Sequence, residues 1–239
     1  MTSVSAAAPP LVAPVRGPLP AAGTVLVVTA RPGQESADLG GLLFAFRRSG
    51  ASLALLCLTR GEASPLNSTC EKLEAVRPWE LQLAASVLGI SSVTVANYPD
   101  GALSRYPVAE LADRVRRASR WHSADLLLVI DPETGDLDDI AVAEAARLAG
   151  VPVVARTVPG ADGAWMIDLG RDAAAARAIQ KAAAAAHASQ SQALPELMGR
   201  VDLLGGGEQL RWLVPRTREL TARATTSAGD LAVGFLRSL

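Results

Sequence analysis

From residue 24 onward, short apolar runs alternate with longer amphipathic stretches, and this rhythm constrains the fold more than any other feature. The runs are TVLVVT (24–29), SLALLCL (52–58), VTVA (93–96), LLLVI (126–130) and VPVVARTV (151–158). Runs this short and this continuously apolar read as strands buried on both faces. The intervening segments have helical spacing instead. Leu39, Leu42, Leu43 and Phe46 share one face of a helix that Gly50 is placed to end. Leu81, Ala84, Ala85 and Leu88 share another, with Pro78 suited to its first turn and Gly89 to its close. Val108, Leu111, Ala112 and Val115 stripe a third helix, a fourth runs from about Asp139 to Ala149, and the Ala-rich stretch 171–188 is helical on propensity alone. Strands regularly followed by helices predict an α/β protein, a Rossmann-like three-layer sandwich with a mostly parallel sheet.

The 239 residues suffice for one sizeable domain, expected over 24–215. Residues 1–23, rich in Ala and Pro, read as a flexible leader. Residues 216–239 form a C-terminal extension whose last part, DLAVGFLRSL, is amphipathic enough to dock on the domain or on a second copy in a homo-oligomer. The leader has no basic start or continuous apolar stretch, and no later run reaches membrane-spanning length, so a cytoplasmic protein with no membrane partner is expected. A net charge of −1 gives no broad footprint for nucleic acid. Two cysteines make neither a disulfide framework nor a cysteine zinc site, and Cys57 reads as a small core residue.

An open parallel sheet binds ligands beyond the carboxyl ends of its strands. Here those ends carry Arg31 to Glu35, Thr59 to Glu62, Asp100-Gly101, and the acidic string Asp131 to Asp139. Polar residues therefore gather at one edge of the sheet. The first of these loops, in TARPGQESADLGG, holds an arginine, a glycine and a glutamine where a catalytic loop would usually carry ligands or a base.

Six strings, LCLTRGEAS, AVRPWELQLAASVLG, YPDGAL, DPETGDLDDIAVAEAA, HASQSQ and RVDLLGGGEQLRWLVP, fall in the order found in the PIG-L/LmbE-like family of zinc-dependent N-acetylglucosaminyl deacetylases and amidases. The chain resembles that family from about Thr24 to Pro215. The resemblance implies a deacetylase fold and a ligand at the same sheet edge, with Arg77 and Asp100 at positions that contact sugar hydroxyls or a phosphate in some members. As residues alone, Arg77 could equally brace a helix and Asp100 make an Asp-Gly turn.

The departures from the family concern the metal. Where the family reads His-Pro-Asp-Asp-Glu, this chain has Arg31-Pro32-Gly33-Gln34-Glu35; where the family reads His-Pro-Asp-His, it has Asp136-Leu137-Asp138-Asp139. By the resemblance, Arg31, Gln34 and Asp139 stand at the three zinc-ligand positions and Gly33 at the general base. Arginine stays protonated and has no lone pair to donate, and glycine takes no proton from water. No metal and no cofactor are therefore expected. Arg31 is expected to pair with Asp136 or Asp139, a fixed cation in place of a bound one. A Mg²⁺ or Ca²⁺ site from Glu35, Asp136, Asp138 and Asp139 would be opposed by Arg31.

Three functions stay open. The first is a pseudoenzyme or binding protein for a polar sugar-like or amide-bearing small molecule, held by Arg31, Arg77 and Asp100. The second is a metal-independent enzyme, repurposed in a specialised-metabolite setting, with Asp136, Asp138, Asp139 or Glu35 as acid or base beside Arg31. The third, a working zinc deacetylase, requires the motif alignment to be wrong. His187 reads as a satisfied structural histidine and His122 as peripheral. The four tryptophans read as core or subunit-contact residues.

Overall fold

The computed structural model of the chain describes residues 15–216. Five strands, β1 (Thr24–Thr29), β2 (Ser52–Thr59), β3 (Ser92–Tyr98), β4 (Leu126–Ile130) and β5 (Val153–Arg156), run parallel, and β6 (Trp165–Asp168) and β7 (Gly207–Val214) complete the sheet. The order is β3-β2-β1-β4-β5-β7-β6, with β7 antiparallel to both neighbours. Helices α1 (Gln34–Ala37), α2 (Gly40–Arg48), α3 (Leu73–Leu88), α4 (Val108–Trp121), α5 (Leu137–Arg147), α6 (Ala173–Ala186), α7 (Ala188–Ser191) and α8 (Glu196–Leu203) surround it.

The strand patterns explain the layers. Successive side chains of β1 point to opposite faces, and both sets are apolar. Val25 and Val27 join Leu42, Phe46, Leu81 and Leu88 on one face, whereas Leu26 and Val28 join Leu111, Val115, Val142 and Ala146 on the other. The architecture is the expected α/β sandwich with a mostly parallel sheet. From β1 the chain steps outward to β2 and β3, then returns to place β4 on the other side of β1. The loops after β1 and β4 therefore part in opposite directions, opening a crevice at their carboxyl ends.

Two expectations are corrected, and one strand pair is added. Pro78 is not in the first turn of its helix; α3 begins at Leu73, so Pro78 lies inside it. Its missing N–H leaves the Glu74 carbonyl without the usual helical donor, and the Arg60 guanidinium reaches that carbonyl at 3.5 Å. The antiparallel pair β6–β7 has no counterpart in the sequence reading, because WMID is short and the GEQLRWLV pattern lies next to glycines. Finally, residues 15–18 of the expected leader are hydrogen-bonded to β6. Val15 to Gly17 hydrogen-bond along β6 through Met166, the Trp165 indole donates to the Pro18 carbonyl at 3.0 Å, and Arg16 pairs with Asp168. The rest of that leader, residues 1–14, and the extension from 217 to 239 lie outside the described residues.

Among the described residues, no helix is long and apolar enough to cross a membrane.

Candidate functional site

The crevice is built from the loops after β1 and β4. Gly33 opens α1 at φ +101°, a left-handed conformation that favours glycine. The next residue closes the loop: Gln34 Oε1 accepts from the backbone N–H groups of Ala30 and Arg31 at 3.0 and 3.1 Å. Its Nε2 then donates across the crevice to Asp139 at 2.8 Å. Arg31 crosses in the same direction, Nη2 lying 2.8 Å from both oxygens of Asp136 and Nε 3.6 Å from Asp100.

On the far side, Asp136 is the N-cap of α5 and accepts from the N–H groups of Asp138 and Asp139. Three carboxylates at one helix start suit the positive end of the helix dipole. They are not equivalent. Burial pulls the Asp136 carboxyl up, but the Arg31 hydrogen bond and charge outweigh it and hold Asp136 below its usual range. Burial pulls the Arg31 guanidinium down, and Asp136 with Asp100 more than restores it. Asp139, 6% exposed, has no cation of its own. Burial, reinforced by the charge of Asp136 against the Gln34 amide, pushes its carboxyl up to about 6.

The remaining expected site residues brace this arrangement. Asp138, 1% exposed, accepts from the N–H groups of Gly101 and Leu103 at 2.7 and 2.9 Å and so ties the loop after β3 to α5. Glu35 is fully buried, accepting from Gly33 N–H and the Ser36 hydroxyl, with His187 Nε2 at 2.6 Å. Burial raises the Glu35 carboxyl, and the charge and hydrogen bond of His187 bring it below its usual value. Arg77 donates to the carbonyls of Gly61 and Pro32, locking two loops together. A side chain at Gly61 would collide with that guanidinium, which requires a glycine there. Asp100 accepts from Ala63 N–H at 3.1 Å, and Glu62 caps the Asp100 N–H at 2.9 Å.

Glu35 and Asp138 are thus engaged by buried partners and Arg77 by backbone carbonyls. Arg31, Asp100, Asp136 and Asp139 do converge. The sequence reading missed two elements: Gln34 as the residue that closes the loop and holds Asp139, and His187 as the partner of Glu35. The HASQ string marked the second without naming its contact. Of the tryptophans, Trp165 is buried against Trp212, whereas Trp79 and Trp121 are exposed.

A zinc ion does not fit these residues. The Arg31 guanidinium has no lone pair and carries a positive charge into the cluster. The Gln34 carbonyl is taken by two backbone N–H groups. Among the described residues, no three His, Cys, Asp or Glu side chains converge as metal ligands would. The carboxylates of Asp100, Asp136 and Asp139, the Gln34 amide and the Arg31 guanidinium make one polar network, in which the Asp139 carboxyl is the one pushed up.

Fold and crevice together define an open α/β protein with a candidate site at the switch between β1 and β4. The profile of the PIG-L family, described as GlcNAc-PI de-N-acetylase, matches residues 26–149. The chain belongs to that family. A "probable N-acetyl-alpha-D-glucosaminyl L-malate deacetylase 2" of Bacillus anthracis is 29% identical over 136 residues, 54% of this chain and 60% of that protein. The match thus spans under two thirds of that relative. Among solved structures, a deacetylase in the biosynthesis pathway of teicoplanin superposes with a TM-score of 0.65 at 17% identity, covering 79% of this chain and 96% of that one. GalB, the 4-carboxy-2-hydroxymuconate hydratase from Pseudomonas putida KT2440, superposes at 0.60 and 19% identity, covering 81% and 97%.

Proposed function

We propose that this PIG-L family member is a binding protein for a polar, sugar-like or amide-bearing small molecule, and that it works without metal-dependent deacetylation. The observation that carries this reading is the Arg31 guanidinium seated 2.8 Å from both oxygens of Asp136. A protonated arginine in a cluster of carboxylates supplies fixed positive charge and competes with any cation for the same oxygens. The half-buried Arg31, with Asp139 and Asp100, offers donors and acceptors in the combination that hydroxyl and acetamido groups need. The ligand class follows the relative named as an N-acetyl-glucosaminyl deacetylase.

A second reading has its own support. Burial pushes the Asp139 carboxyl up to about 6, toward the range in which a general acid–base group works. A protein named as a hydratase shares the fold, so the scaffold is not restricted to deacetylation.

The test begins with metal content after incubation with excess zinc and desalting. The expected result is far below stoichiometric zinc and no hydrolysis of N-acetylated amino sugars. Stoichiometric zinc accompanied by hydrolysis overturns the proposal. A thermal-shift screen of N-acetylhexosamines and polyols then identifies a binder whose stabilisation Arg31→Ala removes. Turnover of that binder, lost in Asp139→Asn, selects the second reading.

A further inference from the structure

The carboxyl edge that holds the crevice continues past β4 to the end of β5. Along β5, Val153 and Ala155 join the apolar cluster of α4 and α5, whereas Val154 joins that of α2, α3 and α6. By the same alternation Arg156, the last residue of the strand, stands on the α2–α6 side. It is two strand spacings from β1, ~10 Å. Asp38, partly buried between α1 and α2, lies on that side as well. Helix α6 brings up a third charge. Gln180 donates to the Ala37 carbonyl at 2.9 Å, and the next residue, Lys181, holds Asp202 of α8 at 2.6 Å. One turn of α6 thus anchors both the residue before Asp38 and the part of α8 that carries Arg200.

The electrostatics agree with this placement. Burial raises the Asp38 carboxyl, with Arg156 the strongest charge opposing it and Arg200 a further one. Asp38 is in turn among the charges that raise Asp139 across the crevice. The neighbouring ions are already matched: Arg177 holds Glu208, and Arg31 holds Asp136. Among the described residues, neither Arg156 nor Arg200 makes a side-chain hydrogen bond or ion pair, although Arg156 is only partly exposed. Two guanidiniums beside one carboxylate leave a positive charge over. A guanidinium presents parallel donors that match two oxygens of a carboxylate or a phosphate.

We propose that Arg156 and Arg200 form an anion subsite at the β5 end of the crevice, and that the ligand is an acidic sugar derivative whose carboxylate or phosphate they clamp. This rests on the sugar-like reading above for the rest of the ligand, which lies over Arg31 and Asp139. The ~10 Å from β1 to β5 suits a sugar ring bearing its acidic group on a short arm. Asp38 competes for the same guanidiniums and keeps the subsite from holding simple anions tightly.

The test is isothermal titration calorimetry of the full chain at low ionic strength. N-acetylglucosamine is compared with its 6-phosphate and with N-acetylmuramic acid, which add a phosphate and a carboxylate to the same ring. At least one acidic sugar should bind about tenfold or more tightly than the neutral one, and the tighter of the two names the anion. Arg156→Gln and Arg200→Gln should each remove most of that gain. Arg200 is exposed, so its variant keeps the fold even if the Arg156 variant does not. Asp38→Asn, which removes the competing carboxylate, should widen the gain. Inorganic phosphate titrated into Asp38→Asn reads the subsite without any sugar. If no sugar binds but phosphate does, and either arginine substitution releases it, the subsite stands and the sugar reading fails. Equal affinity for neutral and acidic sugars overturns the subsite and leaves the sugar reading in place. An acidic preference that survives both arginine substitutions overturns it too, as does binding of neither sugars nor phosphate.

Discussion

Asp139→Asn should stabilise the protein at neutral pH and do nothing in acid. The asparagine keeps an oxygen for the Gln34 amide, now 2.8 Å from Asp139 Oδ1, and gives up only the charge. Burial moves the Asp139 carboxyl from 3.8 to about 6, and at ~1.4 kcal/mol per pH unit this corresponds to ~3 kcal/mol. The sign follows from proton counting. Between the two values the native state retains a proton that the unfolded chain has released, so this group's contribution falls as pH rises through that window. Above it the full cost is present; below both values it vanishes. Asparagine does not titrate. The variant should therefore equal the parent near about pH 3 and exceed it by ~2–3 kcal/mol at pH 7, equivalent to about 5–10 °C in Tm for a chain this size. Urea denaturation followed by circular dichroism at several pH values reads the difference directly. Two stability–pH curves that run parallel would refute the reasoning, since Asp139 would then titrate alike in both states.

Other substitutions probe the bracing. Asp138→Ala leaves the N–H groups of Gly101 and Leu103 without their acceptor, and a loss of ~3–4 kcal/mol in urea denaturation is expected; a loss under ~1 kcal/mol would mean water replaces the carboxylate. His187→Ala strips a fully buried Glu35 of its partner and should cost ~3–5 kcal/mol at neutral pH. That cost shrinks as pH falls, because the depressed Glu35 carboxyl contributes stability only above its unfolded value, and His187→Ala with Glu35→Gln should recover part of it. Pro78→Ala restores the helical donor to the Glu74 carbonyl and should add ~1–2 kcal/mol after allowing for the looser unfolded chain. A lower midpoint would show that the Arg60 contact, which this substitution displaces, matters more.

The five parallel strands were readable because burial on both faces leaves a continuous apolar run, a pattern that needs no partner to recognise. β6 and β7 were not, since β6 has four residues and β7 has only one well-buried face, so neither Trp165–Asp168 nor Gly207–Val214 leaves a continuous apolar run. The same distinction holds at the site. That Arg31 and Gln34 are poor zinc ligands follows from their chemistry alone. Which carboxylate Arg31 takes depends on where α5 begins, and Asp136 wins because it caps that helix and faces the crevice. Asp138, two residues later, points instead to the loop after β3. Spacing along the chain put Glu35, Asp136, Asp138 and Asp139 on one list; only packing separates Glu35 and Asp138, which brace the interior, from Asp136 and Asp139, which bond across the crevice to Arg31 and Gln34.

Arg31, Gln34 and Asp139 make sense as a set rather than singly. Asp100, Asp136 and Asp139 bring three carboxylates to one crevice, and Arg31 answers them with a single positive charge where a divalent ion would bring two. It sits on Asp136 and within 3.6 Å of Asp100, which leaves Asp139 to an uncharged amide. The surplus is relieved at that position, where the carboxyl holds its proton up to about 6. Gln34 serves both halves of the arrangement, because its oxygen closes the loop that presents Arg31 while its nitrogen holds Asp139. An aspartate there would lack the donor, add a fourth negative charge and face Asp139 directly. A histidine at 31 alone would leave Asp136 without its guanidinium. Each of the three residues is thus favourable mainly in the presence of the others, as expected of residues sharing one network.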